Sequence, residues 1–231
     1  MSWFSRRRRK DDADEDASTT EATAPPAGPG PHDVADVPDL GSRVDLGALR
    51  VPARPGMQVR LEVEKRTRNA VALTVAAAGS AMQLQVFAAP RSAGIWDELR
   101  EEIAESVAKQ GGTTEEVAGR FGTELLARLP VKTPEGGSGH RPARFVGVDG
   151  PRWFVRAVLT GRAAAEEAAA EPLEDVLSDT VVVRGPEAHA PRDILLLRAP
   201  GKAGREEQGQ ENDTDDGLEL LRRGPEITEV R

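Results

Sequence analysis

The stretch RPARFVGVDGPRWFVRAV, residues 141–158, carries the groups best suited to chemistry in this chain. Arg152 and Arg156 fall on one face of a strand pattern, with Arg144 close by on the strand before it. A guanidinium offers a planar fork of N–H donors that matches carboxylate and phosphate, so such a face would bind an anion. The same residues also fit a solvated sheet face, or arginines closing a helix end. On the other face of the strand, Trp153, Val155, Ala157 and Leu159 read as core.

Other familiar chemistries are missing or incomplete. GGSGH (136–140) approaches a nucleophile-elbow motif but ends in His140 and joins two strand patterns, whereas the motif needs a strand-to-helix elbow. No phosphate-binding loop, dinucleotide fingerprint or zincin helix is present. His32, His140 and His189 are scattered, so no metal site and no cofactor is expected. Asp97, Glu101 and Glu105, with Glu98 and Glu102 beside them, form a carboxylate ridge opposite an apolar stripe, which reads as the wet side of a helix. No catalytic residue is assigned. With no cysteine, disulfides and thiolate chemistry are excluded.

The N-terminal arm is a second candidate. Trp3 and Phe4 precede Arg6, Arg7, Arg8, Arg9 and Lys10. Aromatics beside a polybasic run can hold a protein on an anionic membrane. The acidic run DDADED directly after it opposes that contact, and a solubilising leader fits equally. DDADED also stands where a signal peptide needs an apolar stretch, so a cytoplasmic protein is expected. The net charge of −8 makes nucleic acid an unfavoured partner, because phosphates must be neutralised. No apolar run approaches the length of a transmembrane helix.

These groups need a scaffold, which the patterning places in the middle of the chain. Residues 1–32 and 201–231 have low hydrophobicity and blocks of charge, and both read as disordered. Residues 33–200 read as one α+β domain, a mostly antiparallel sheet with one long and one or two short helices packed on it. MQVRLEVE, AVALTVAA and AMQLQVF alternate with period two and form a meander, with Met57, Val59, Leu61 and Val63 sharing a face. Ile95, Trp96, Leu99, Ile103 and Val107 then share a helical stripe, with Ser92 available as cap and Gln110-Gly111-Gly112 as stop. Strand patterns resume at 113–120, 123–131, 143–148 and 152–160. An Ala/Glu-rich segment (163–171) leads to a short helix starting at Pro172, and TVVVR (180–184) closes as a strand. Asp149-Gly150 signals a hairpin, but Pro151 cannot donate the closing hydrogen bond, so a loop longer than two residues is expected.

The blocks LGALRVPARPGMQVRLEVE, LQVFAAPRSAGIWDELREEIA, FGTELLARLP, RPARFVGVDGPRWFVRAVLTGRAA and PLEDVLSDTVVVRG together resemble an actinobacterial family, Domain of Unknown Function 3710. The resemblance spans about residues 30–200 and implies no defined activity. The order of elements is loosely similar to Mog1/PsbP-type domains. The leading expectation is a non-catalytic binding or scaffolding module offering Arg144, Arg152 and Arg156 to an acidic ligand or an unidentified protein. The acidic segment ENDTDDGLELL of its own tail is one candidate. The alternatives are a small-molecule enzyme with a site near His140, and a peripheral membrane adaptor working through residues 3–10. In the last residues, GPEITEVR, Ile227 and Val230 could anchor a strand-like peptide.

Overall fold

A computed structural model describes residues 28–91, 94–132 and 137–200. The expectations placed on the arm (Trp3 to Lys10), on Ser92 and on the tail lie outside these residues.

The elements follow in the order β1 (His32–Asp33), β2 (Arg43–Asp45), β3 (Leu49–Pro52), β4 (Gln58–Val63), β5 (Ala70–Ala77), β6 (Ser80–Ala88), α1 (Trp96–Lys109), β7 (Thr113–Gly119), β8 (Gly122–Lys132), β9 (Ser138–Gly150), β10 (Trp153–Gly161), a 3-10 turn (Arg162–Ala164), α2 (Glu167–Ser178) and β11 (Val181–Val182). Seven strands form an antiparallel sheet in the order β4-β5-β6-β10-β9-β8-β7. The expected meander is its first part. A small sheet, β1-β11-β3-β2, lies apart from it, with β1 and β11 parallel. TVVVR therefore contributes to the small sheet rather than to the large one. The architecture is α+β.

Alternation along the central strand β10 sorts the layers. Trp153, Val155, Ala157 and Leu159 point into the main core, which includes Leu49 and Val51 of β3 and Leu173, Val176 and Leu177 of α2. Phe154 points the other way and joins Ile95 and Trp96 at the start of α1 in a second core. Helix α1 thus covers one face of the large sheet, and α2 with the small sheet covers the other.

Two glycines of β9 make room for two indoles. A Cβ on Gly147 would lie 2.2 Å from the Trp96 ring, and one on Gly150 would lie 2.1 Å from the Trp153 ring. Trp96 donates its indole N–H to the Thr123 carbonyl at 2.7 Å, and Trp153 donates to Asp33 at 2.6 Å. Each large apolar ring is buried with its one polar atom satisfied, which removes the desolvation cost that an orphaned N–H would carry.

The β9–β10 hairpin corrects one expectation. Gly150 pairs with Trp153, so the loop has only two residues, Pro151 and Arg152. The missing N–H of Pro151 costs nothing at the first turn position, and Arg152 takes φ +63° at the second, where a type II turn needs it. Asp149 is thereby left inside β9, facing α1. Its carboxylate accepts the backbone N–H of Ile95 at 2.7 Å and of Trp96 at 3.2 Å. An acid from a different strand caps the helix at the positive end of its dipole.

Pro172 is also placed differently. It lies inside α2, which begins at Glu167. Its missing N–H leaves the Ala168 carbonyl without a helical partner, and both residues are solvent-exposed, so water can take that bond. The preceding alanines and glutamates favour helix strongly enough to start it earlier.

Truncating Trp153 to alanine should lower unfolding free energy by about 3–5 kcal/mol, read by denaturant titration. Asp149→Ala should cost about 1 kcal/mol and speed amide exchange in the first turn of α1, whereas Asp149→Asn, which keeps one acceptor, should lose less.

Candidate functional site

The three arginines of the expected anion face do not share a face. Arg144 pairs in register with Leu159 and points to the side of the large sheet where α2 packs. There it bonds Glu124 of β8 and Glu174 of α2. The side chains are 13 %, 1 % and 8 % exposed, so this is a buried ion triad. Burial opposes the charge of Arg144, but hydrogen bonds and charge from Glu124 and Glu174 outweigh it, and its pKa is raised. Arg144 is engaged with partners of its own and is closed off from an external anion.

Arg156 sits on the opposite face, beside Phe154. Its guanidinium bonds the Gln85 side-chain oxygen and lies 5.5 Å from the centre of the Phe87 ring. Burial lowers its pKa. Arg152 stands in the hairpin loop, exposed, and its carbonyl accepts the N–H of Ala89 at 2.9 Å. His140 lies on β9 opposite Pro130 and lines an open cleft with Thr114, Arg128 and Pro142. None of the three arginines lines that cleft. Among the described residues, no group of three His, Cys, Asp or Glu side chains could hold a metal ion.

A different surface stands out at the edge of the large sheet. β4 pairs only with β5, so one row of its backbone N–H and C=O groups has no strand partner among the described residues. Its alternation is as expected, but its inner face is not closed over. Leu61 is partly buried, while Val59 is 50 % and Val63 is 52 % exposed. The small sheet ends at β2, and its Val44, Val51 and Pro52 line a cleft together with Val59 rather than closing on it. What remains is an open trough in two parts, both lined by Leu61. One part, about 480 Å³, is walled by Val44, Leu46, Val51 and Pro52 against Val59 and reaches Pro200. The other, about 660 Å³, runs past Val63 to Arg68, Arg184, Leu197 and Arg198.

The floor is apolar and the margin is basic. Arg60, Arg68 and Arg198 have no carboxylate partner among the described residues. Arg184 uses one guanidinium nitrogen on the carbonyls of Gly185 and Glu187, while its buried Nε has no hydrogen-bond partner. Glu187, paired at 3.7 Å with His189, is the acid of this margin. The segment 194–198 forms the end wall. Leu195 donates its N–H to Val86, Leu197 to Ala70 and Arg198 to Leu46, tying the ends of β5 and β6 to the β2–β3 turn. Sequence patterning placed Val59, Leu61 and Val63 on one face and singled out none of these arginines. Period-two alternation shows which residues share a face and is silent on whether anything covers it.

A family profile described as "Protein of unknown function (DUF3710)" matches residues 30–206. The chain belongs to the DUF3710 family. That match spans every described strand and helix, and with them the trough. No curated protein matches the chain. Among solved structures, a crystal structure from Bacteroides thetaiotaomicron VPI-5482 is similar at 12 % identity and TM-score 0.37, covering 63 % of this chain and 49 % of its own. The chain thus spans about half the length of that protein. The solution structure of PsbP (CyanoP) from Synechocystis sp. PCC 6803 is similar at 15 % identity and TM-score 0.36, covering 59 % and 88 %. Among the described residues, no helix is long and apolar enough to cross a membrane.

Replacing Arg144 with methionine leaves two buried carboxylates facing each other without a cation. Unfolding free energy should fall by about 3–5 kcal/mol, and replacing Glu124, Arg144 and Glu174 together with apolar residues should recover much of that loss in the same denaturant titration.

Proposed function

We propose that this DUF3710 protein is a non-catalytic binding module whose ligand is an extended peptide laid along β4. The supporting observation is the trough itself, an apolar floor bordered by arginines without a carboxylate partner, beside a strand edge whose backbone groups have no strand partner, among the described residues. An added strand would satisfy that row of donors and acceptors, and alternate side chains would enter the trough. The margin favours a peptide with acidic residues between its apolar ones. Burying the exposed halves of Val59 and Val63 contributes affinity at roughly 25 cal/mol per Å² of apolar surface. Arg144 and Arg156 then act in the framework, the first joining α2 to the sheet and the second bracing Phe87.

The test uses residues 28–200, which contain every described element, and a fluorescein-labelled peptide with leucines at alternate positions between glutamates. Anisotropy should report saturable binding. Val59→Asp combined with Val63→Asp should weaken it at least tenfold, and circular dichroism at the assay temperature checks that the variant stays folded, since each position is still half buried. Equal binding by the parent and the double variant overturns the proposal, as does no binding by either.

A further inference from the structure

The last described residue, Pro200, lines the trough, and 31 residues follow it. Whatever the trough binds, this segment is tethered at its mouth. Its sequence matches the surface in two independent respects. Residues 206–221 carry seven acids and no base, against a margin supplied by Arg60, Arg68, Arg184 and Arg198. Within that acidic run, Leu218 and Leu220 alternate with Glu219. In an extended chain, residues two apart point to the same side at a spacing of about 7 Å, which is the spacing of Val59, Leu61 and Val63 along β4. Leu221 follows Leu220 directly and would point to the other side, and Ile227 and Val230, three apart, would point to opposite sides of a strand.

We propose that Asp216–Leu221 of this chain docks along β4 and covers the trough, so that the module is closed by its own tail until a competing peptide displaces it. This rests on the peptide-docking reading above and names its resident ligand. The reach is sufficient. A random coil of 17 residues, the number between Pro200 and Leu218, has a typical end-to-end distance of about 20–25 Å. The six residues of β4 span about 20 Å. A tether matched to its span gives an effective concentration on the order of millimolar, so even a weak peptide contact would be populated. An outside ligand must then compete with the tail, which sets a threshold on binding.

The experiment compares the full chain with a full-chain variant carrying Leu218→Asp, Leu220→Asp and Leu221→Asp. Hydrogen exchange is followed over residues 58–63, and the alternating Leu/Glu peptide is titrated into both. The expected result is at least tenfold faster exchange in β4 of the variant, independent of protein concentration, and at least tenfold tighter peptide binding by the variant. If exchange in β4 is the same in both chains while the peptide binds both equally, self-docking is overturned and the peptide-docking reading survives. If exchange is the same and the peptide binds neither, both fall. Protection that rises with protein concentration overturns the intramolecular version by identifying the occupant as the tail of a second copy.

Discussion

The register of β10 against β9 and β6 is the constraint on which the other contacts depend. β10 is packed on both faces and hydrogen-bonded along both edges, so each of its side chains has an assigned layer. A slip of one residue would send Trp153 toward α1 and Phe154 into the main core, because side chains alternate with period two. The two-residue loop Pro151–Arg152 sets that register. It also leaves Asp149 in position to hold the first turn of α1, while Trp153 reaches Asp33 of β1. One turn thereby locates a helix on one side of the sheet and the small sheet on the other.

The same sheet is covered unevenly, and the two consequences differ in kind. Near its centre, α2 closes tightly enough to desolvate three charged groups, and the Arg144 triad tolerates this because each carboxylate reaches the one guanidinium. Such a triad contributes more to the seating of α2 than to net stability, since desolvation offsets most of the attraction. At the β4 edge the covering layer ends early. Aliphatic side chains remain in contact with water there, and Arg60, Arg68 and Arg198 have no carboxylate partner among the described residues. A stable fold leaves such a surface open at a free-energy cost, which an added strand would relieve.

Much of the architecture was legible in period alone. The β4–β5–β6 meander, the stripe Ile95, Trp96, Leu99, Ile103 and Val107, and the two faces of β10 follow from alternation and from 3.6-residue spacing, which local geometry imposes on any buried element. The errors are local competitions decided by neighbours. Pro172 reads as a helix start, yet the run before it is helical and its lost hydrogen bond faces water. Asp149-Gly150 reads as the turn, yet shifting the turn to Pro151–Arg152 places Asp149 on the helix end. The expected anion face failed for a different reason. Arg144 and Arg156 lie on different strands, and only the register of β9 on β10 shows that they point to opposite sides of the sheet.

From its sequence alone, the chain determined the strands of the large sheet, the long helix and the residues on each that share a face, and its lack of cysteine excluded thiol chemistry. Those properties belong to single residues or to short spans of backbone. Tertiary structure alone decided that the Arg144 charge is consumed inside the protein, that a carboxylate from β9 caps α1, and that the described residues leave the apolar face of β4 uncovered beside Pro200. Each depends on which distant segment arrives, or fails to arrive, over a given face. Coverage is a property of the packed layers, and no local pattern encodes it.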